Sequence, residues 1–247
     1  MTEHIRVVQR GPILDVEFAR REKKNAITAA MYAALTKAFT DAGVDDRVSV
    51  VLLHGQADLF TSGNDLADFR TPDARKEGHG HHFLHAIASC QKPIVAAVGG
   101  AAIGIGTTML MHCDLVIASD EARFRLPFVP LGISPEAGSS MLLPLLAGPR
   151  LAAELMLLGD FFNAETARQA GIVNRVVPAA ELLEVAQRFA ERLAAQPAQA
   201  LQTTKMLLKR PAGRTAIEAI EEERPHFERL LHAPEAQAIF RAFFERP

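Results

Sequence analysis

The chain has 247 residues, of which 49 % are hydrophobic and 23 % charged, with a formal net charge of -2. That apolar share suffices for a large core and excludes a mostly disordered chain, while the charge balance excludes a general basic face for nucleic acid or anionic lipid. Two cysteines, Cys90 and Cys113, supply neither a disulfide scaffold nor a CxxC zinc site, and are expected to be buried free thiols.

Ile5 and Val7, then Ile13, Leu14, Val16 and Phe18, flank the turn signal Arg10-Gly11-Pro12 and predict a hairpin. Thr28 is placed to cap a helix in which Met31, Leu35, Phe39 and Ala42 recur every three or four residues. Val48–Leu53, Ile94–Val98 and Leu115–Ala118 read as short buried strands with helical stretches between them. Such alternation predicts βαβ units and a mostly parallel sheet. Thr71–His85, polar and His-rich, is expected to be a loop lining a site. From Pro178 onward, Glu181–Ala195, Ala198–Lys209, Arg214–Leu231 and Pro234–Phe244 read as amphipathic helices. The expected organisation is an α/β core over residues 1–177 and a helical C-terminal region over 178–247. No signal-like segment opens the chain, and no run of about 18 apolar residues is uninterrupted. A cytoplasmic setting without membrane or nucleic-acid partners is expected.

Two glycine-containing junctions follow predicted strands: Phe60-Thr61-Ser62-Gly63-Asn64-Asp65-Leu66, and Gly99-Gly100-Ala101-Ala102-Ile103-Gly104-Ile105-Gly106. In an open α/β sheet ligands collect at the carboxyl ends of strands, and backbone N–H groups at such turns can hold negative charge. Two of them from different strands would make an oxyanion hole. The same spacing also describes two ordinary strand-to-helix turns. The second junction lacks the Lys-Ser/Thr of a P-loop and the third glycine of GxGxxG, and no Gly-x-Ser-x-Gly elbow surrounds Ser62.

Lys24-Asn25-Ala26-Ile27, Phe60-x2-Gly63-x-Asp65-Leu66, the run from Lys92-Pro93 to Gly104, Cys113-Asp114-Leu115, Ala122-x-Phe124 and Ala167-x2-Ala170-Gly171-Ile172-Val173 follow one another over nearly the whole chain. Together they resemble the crotonase (enoyl-CoA hydratase/isomerase) superfamily. The resemblance implies an α/β fold with a crotonase-like ββα spiral core and a helical C-terminal trimerisation region. It also implies an acyl-CoA thioester as ligand, and a homotrimer or dimer of trimers. The two turns would form the thioester oxyanion hole, with the backbone N–H groups of Ser62 and Ile105 as donors. Lys24 and Ala26 match the family's CoA-contacting loop, and Asn64, Asp65 and Leu66 fall where members hold pantetheine and adenine. Gly104 and Phe128 complete the expected substrate contacts. Read alone, Lys24 is equally a surface lysine and Asp65 a helix cap. Coenzyme A enters as part of the substrate, and neither a cofactor nor a metal is expected.

Family hydratases carry one glutamate on the helix after the second glycine turn and another after the Ala-x-Phe strand; here those positions hold Thr108 and Phe128. Neither can transfer protons as a carboxylate does. The segment Leu131-Gly132-Ile133-Ser134-Pro135-Glu136-Ala137-Gly138-Ser139-Ser140, with Pro144 following, is similar to the peroxisomal-type Δ3,Δ2-enoyl-CoA isomerases. Bulky Ile105 and Ser119-Asp120-x-Ala122 extend that likeness. It implies that Glu136 removes a C2 proton and returns it at C4, in an apolar pocket walled by Phe128, Leu126 and Ile105. Glu136 also precedes a predicted helix, Ala137–Ala147, where an acid would merely complement the dipole. Ring-opening isomerisation, hydrolysis or hydration through Glu136, and acyl-CoA binding without turnover, stand as alternatives. His79, His81, His82 and His85 read as a solvated or substrate-lining group, because no nearby carboxylate completes a metal set. Lys205 and Lys209 fit either CoA phosphates or a solvated helix face. Leu182, Leu183, Phe189, Leu193, Leu207, Leu208, Phe227, Leu230 and Leu231 exceed what one helical layer need bury, so an interface is expected.

Overall fold

The computed structural model describes residues 2–65 and 78–209, with Pro234 and Ala238 as isolated positions. β1 (Ile5–Arg10) and β2 (Ile13–Phe18) form the expected hairpin, antiparallel from Ile5↔Phe18 to Arg10↔Ile13. α1 (Ala29–Val44) starts where Thr28 accepts a hydrogen bond from the Met31 N–H at 3.3 Å, which satisfies one of the free donors of the first turn. Next come β3 (Val50–His54), α2 (His79–Ser89), β4 (Ile94–Val98), β5 (Ala101–Ile103) and the one-turn helix α3 (Ile105–Thr108). A 3-10 turn over Met109–His112 leads to β6 (Leu115–Ser119) and β7 (Arg123–Arg125). Then follow α4 (Ser139–Ala147), α5 (Pro149–Leu158), β8 (Phe161–Asn163), α6 (Ala164–Gln169), β9 (Arg175–Val177), α7 (Leu182–Ala194) and α8 (Ala198–Leu208).

The main sheet has the order β1-β2-β3-β4-β6-β9, parallel everywhere except at the hairpin. β5, β7 and β8 make a second, three-stranded sheet that sequence reasoning missed, because three-residue strands such as Arg123-Phe124-Arg125 are too short to show a period. Residues 79–89, placed by sequence partly in a loop, are helical: Phe83 and Ile87, one turn apart, are fully buried and pull the segment onto α1. Residues 71–77 of that expected loop lie outside the described residues. So do Leu66 and, apart from Pro234 and Ala238, the expected helices Arg214–Leu231 and Pro234–Phe244 with Phe227, Leu230 and Leu231.

Alternation along the strands builds two apolar layers. Leu14, Val16, Phe18, Val51, Leu53, Ala96 and Val98 face the larger core with α1 and α2. Ile13, Val50, Leu52, Val95, Ala97 and Ile117 face the other way, onto Leu182, Val185, Ala186 and Ala190 of α7. Burying one such side chain contributes about 1.5–3 kcal/mol, so α7 is a cover that the sheet requires. Leu182 thus belongs to the core, whereas Leu183 and Leu208 are exposed. Lys205 does not lie on a solvated face. It is buried, and its ammonium donates to the Lys92 carbonyl at 2.7 Å and to Asp114 at 2.6 Å, tying α8 to the loops around β4 and β6. Both cysteines are free; burial raises both thiols, Cys113 to about 12, which keeps them protonated near neutrality.

One ionic cluster closes the carboxyl end of the β2–β3 pair. His54 Nε2 lies 3.0 Å from the Asp15 carboxylate and Nδ1 2.7 Å from the Gly55 carbonyl, so both ring nitrogens face acceptors. Burial alone would lower the imidazole pKa, but Asp15, the Gly55 carbonyl and the Glu17 charge outweigh it and raise the value. Burial acts on Asp15 in the opposite sense, and His54 and Arg10 overcome it and hold that carboxyl low. The stabilisation from His54 is therefore complete below its unfolded value of about 6.5 and is lost as the pH rises through the raised folded value. Asp15, lowered, stays ionised throughout that window. We expect His54→Gln to destabilise the protein by about 1–3 kcal/mol at about pH 6 and by clearly less at about pH 9. Urea unfolding of both proteins at the two pH values checks this; an equal difference at both would contradict a charged His54.

Candidate active site

The two glycine junctions are zipped together by backbone hydrogen bonds. Thr61 N–H donates to the Ala101 carbonyl at 2.9 Å, and Ile103 N–H donates to the Thr61 carbonyl at 3.1 Å, a one-residue extension of the sheet logic beyond β5. The Thr61 hydroxyl donates to the Asn25 carbonyl at 2.6 Å and accepts from Gly63 N–H at 3.1 Å. Asn25 is fully buried, with φ 54. Its amide donates to Gln56 and to the Phe60 carbonyl, while its oxygen accepts from Arg20 N–H at 2.8 Å. Sequence reasoning quoted Asn25 as part of a motif without giving it a task. The structure makes it the pin between the Lys24–Ala26 loop and the first junction.

Close approach at this seam is possible only with glycine at position 63. Gly63 has φ 88, and a Cβ there would lie 2.5 Å from the Ile103 carbonyl oxygen. Gly104 has φ 58 and ψ -119, but open space where a Cβ would go. Its N–H donates to the Arg125 carbonyl at 2.9 Å, which turns the chain into α3.

Ile105 is the first residue of α3, so its N–H has no intrahelical acceptor, and it finds none elsewhere among the described residues. Ser62 N–H, the other expected donor, is engaged: it donates to the Lys24 carbonyl at 3.0 Å. The junctions are thus brought together as the sequence implied, with one donor open and the other held by the neighbouring loop. Lys24 itself is exposed at φ 52, and the Ala26 carbonyl accepts from the Arg20 guanidinium at 2.8 Å. Asn64 accepts a hydrogen bond from the Tyr32 hydroxyl and pairs with Ile27 as a β-bridge. Asp65 forms an ion pair with Arg20 at 2.6 Å.

One turn after Ile105 stands Thr108, fully buried, and its hydroxyl donates to Oε1 of Glu136 at 2.5 Å. Glu136 does not start a helix. α4 begins three residues later, after Gly138 at φ 65, and Glu136 lies in the preceding loop, where Ala137 takes φ 56. Ser139 holds that loop through two bonds to the Glu136 carbonyl, from N–H at 3.0 Å and from Oγ at 2.6 Å. His112 Nε2 adds a third, to the Ala137 carbonyl at 2.9 Å. The carboxylate is thereby turned toward Thr108 and away from the α4 amides. Ile105, Leu126 and Phe128 are buried in the larger core, and Ala137 packs on it. Burial raises the Glu136 pKa, and the Thr108 hydrogen bond offsets only part of the rise. A carboxyl raised in this way is suited to accept and return a proton near neutral pH.

His81 and His85 are exposed, one turn apart on α2, with ring centroids 4.4 Å apart. Among the described residues no group of three or more His, Cys, Asp or Glu side chains could hold a metal ion. Nor is any helix among them long and apolar enough to cross a membrane.

A mostly parallel sheet whose loops set α3, with its open first amide, against a half-buried glutamate defines a class of α/β protein with its candidate site beyond the carboxyl ends of the strands. The enoyl-CoA hydratase/isomerase family profile matches residues 9–247, and the chain belongs to that family, an acyl-CoA enzyme with the crotonase fold. It is 32 % identical to a carnitinyl-CoA dehydratase of Salmonella typhi over 254 residues, covering 100 % of this chain and 97 % of the relative. It is 39 % identical to enoyl-CoA delta isomerase 2 of Rattus norvegicus over 181 residues, 70 % of this chain and 46 % of that protein. A solved structure from Magnetospirillum magneticum AMB-1, provisionally named enoyl-CoA hydratase/carnithine racemase, superimposes with a TM-score of 0.95 at 43 % identity, covering 99 % of this chain and 97 % of that one.

The seam between the junctions sets an expectation for two neighbouring substitutions. Gly104→Ala meets only the backbone cost of its conformation, about 1–3 kcal/mol. Gly63→Ala carries that cost and must also push the Ile103 backbone away, so its loss should exceed about 3 kcal/mol. Chemical unfolding of the two variants side by side measures the order; Gly63→Ala at wild-type stability would show that the seam is loose.

Proposed function

We propose that this enzyme shifts the double bond of a 3-enoyl-CoA to the 2-trans position, a Δ3,Δ2-enoyl-CoA isomerisation. The observation that carries the reading is the half-buried Glu136 with a raised pKa, held by Thr108 at the very position where family hydratases place a glutamate. Phe128 occupies the other hydratase position and is buried. A single carboxylate suits a reaction in which one group takes a proton and gives it back.

In this reading Glu136 takes the C2 proton. The electron pair of the broken C–H bond passes into a dienolate whose charge rests on the thioester oxygen. Protonation at C4 by the same carboxyl then moves the double bond to C2–C3 and restores the thioester. Ile105 N–H is one donor to the developing oxyanion. Ser62 N–H is the second once a thioester oxygen replaces the Lys24 carbonyl as its acceptor. One such donor is typically worth ~2.7–4 kcal/mol. The Lys24–Ala26 loop and Asn64 border the path for the CoA arm, whereas Asp65 serves that path by holding Arg20. The reaction is redox-neutral and asks for no group beyond the CoA of its substrate. Support also comes from the likeness to the rat delta isomerase. The full-length likeness to a carnitinyl-CoA dehydratase favours a second reading, in which Glu136 alone serves a hydration or dehydration.

A homotrimer or dimer of trimers completes the proposal. Leu131, Ile133, Met141, Leu145, Leu157 and Phe161 each expose more than half of their surface along one stretch of chain.

Two measurements test these readings. Purified protein offered 3-enoyl-CoA should form 2-enoyl-CoA, and Glu136→Gln should lower that rate by at least about 10⁴-fold while acyl-CoA binding is kept. Near-normal turnover by the variant would remove Glu136 from the chemistry, and robust 3-hydroxyacyl-CoA formation by the wild type would favour the second reading. In analytical ultracentrifugation at micromolar concentration the protein should sediment as a trimer or hexamer; a strict monomer would refute the assembly.

A further inference from the structure

We infer that Thr108 is the positioning residue of this site: its buried hydroxyl fixes Oε1 of Glu136 and leaves Oε2 as the oxygen that carries the proton. The inference rests on the reading of Glu136 as the base. Two adjacent threonines make the contrast. The Thr107 hydroxyl donates to the Ala102 carbonyl at 2.6 Å, an ordinary tie inside the fold. The Thr108 hydroxyl, equally buried, donates to a carboxylate 28 residues away. Oε2 of Glu136 has no hydrogen-bond partner among the described residues.

The placement is specific because one short stretch of chain serves both halves of the site. α3 opens at the free amide of Ile105 and closes at Thr108, and the following turn ends at His112, whose ring holds the Ala137 carbonyl. Oxyanion donor, carboxylate anchor and loop anchor therefore lie on one continuous helical stretch. A hydroxyl donor also favours the ionised carboxyl, so it brings a base that burial has raised back toward the operating range. No neighbouring charge among the described residues does this. The titratable groups packed about the loop are His112, which burial keeps low and neutral, and Lys209, whose ammonium donates to the His112 carbonyl at 2.8 Å.

The test compares wild type, Thr108→Val and Thr108→Ser, with Thr108→Ala as a second hydroxyl-free variant should the valine protein fail to fold. Two readouts are taken: the pH profile of 3-enoyl-CoA isomerisation, and the carbon-13 NMR titration of protein labelled at glutamate carboxyls. The Glu136 resonance is identified by its absence in Glu136→Gln. Loss of the hydroxyl should lower kcat about 10–100-fold with KM little changed. It should also move the acidic limb and the Glu136 titration upward by about one pH unit or more, and Thr108→Ser should restore both. An unmoved titration in the hydroxyl-free variants, or a serine variant no better than valine, would overturn the inference. A wild type inert toward 3-enoyl-CoA would instead overturn the isomerase reading, and the NMR titration would then judge Thr108 by itself.

Discussion

The backbone seam at Thr61 is the constraint on which the rest of the site depends. Two chain segments leave the carboxyl ends of β3 and β4 as parallel neighbours, and nothing in the main sheet forces them to stay together beyond its edge. Thr61 does so, accepting and donating one backbone bond each to the second junction while its side chain reaches the Asn25 carbonyl. Three segments separated by tens of residues thus meet at one residue through three hydrogen bonds. The amide of Ile105 and the amide of Ser62 inherit their positions from that seam.

Burial acts on two carboxyls of this protein with opposite outcomes, and the difference lies in their partners. Asp15 and Glu136 are both withdrawn from water. Asp15 faces an imidazole and a guanidinium, which hold its proton off and lock the β2–β3 pair. Glu136 faces only a hydroxyl, so desolvation wins and the carboxyl titrates higher. The first arrangement keeps a carboxyl ionised within the fold and the second leaves one that binds a proton more readily, and the charge of the neighbour decides between them.

The covering of the sheet shows the same economy of parts. α7 buries one face, and the buried Lys205 on α8 reaches across to Asp114, which itself accepts from the Ile94 N–H at 2.7 Å. A cation paired and bonded at both ends tolerates burial, whereas an unpaired one would not. The C-terminal helices described here are therefore integral to the sheet's support. The start of β4, whose far end opens the second junction, is held by that same contact.

Much of this was legible in the sequence. Short apolar runs and the Gly11-Pro12 turn sufficed for the hairpin, the three further parallel strands β3, β4 and β6, and α1, because each is marked by a local hydrophobic pattern. The order of the family motifs sufficed for the fold, and the absence of carboxylates at 108 and 128 left Glu136 as the candidate acid. The three-stranded sheet, the helix over 79–89 and the late start of α4 were not legible, since each rests on contacts with distant segments rather than on a period of its own. Nor could spacing show that Lys205 is buried, that Asp65 belongs to Arg20, or that Lys24 engages the Ser62 amide. By itself the sequence determined the family, the main strands and which residues are able to donate, accept or ionise, because these follow from residue type and local pattern. Only the tertiary structure decided what each of them touches, because burial and partner, which set a carboxyl's pKa and an amide's freedom, exist only once separated segments have packed.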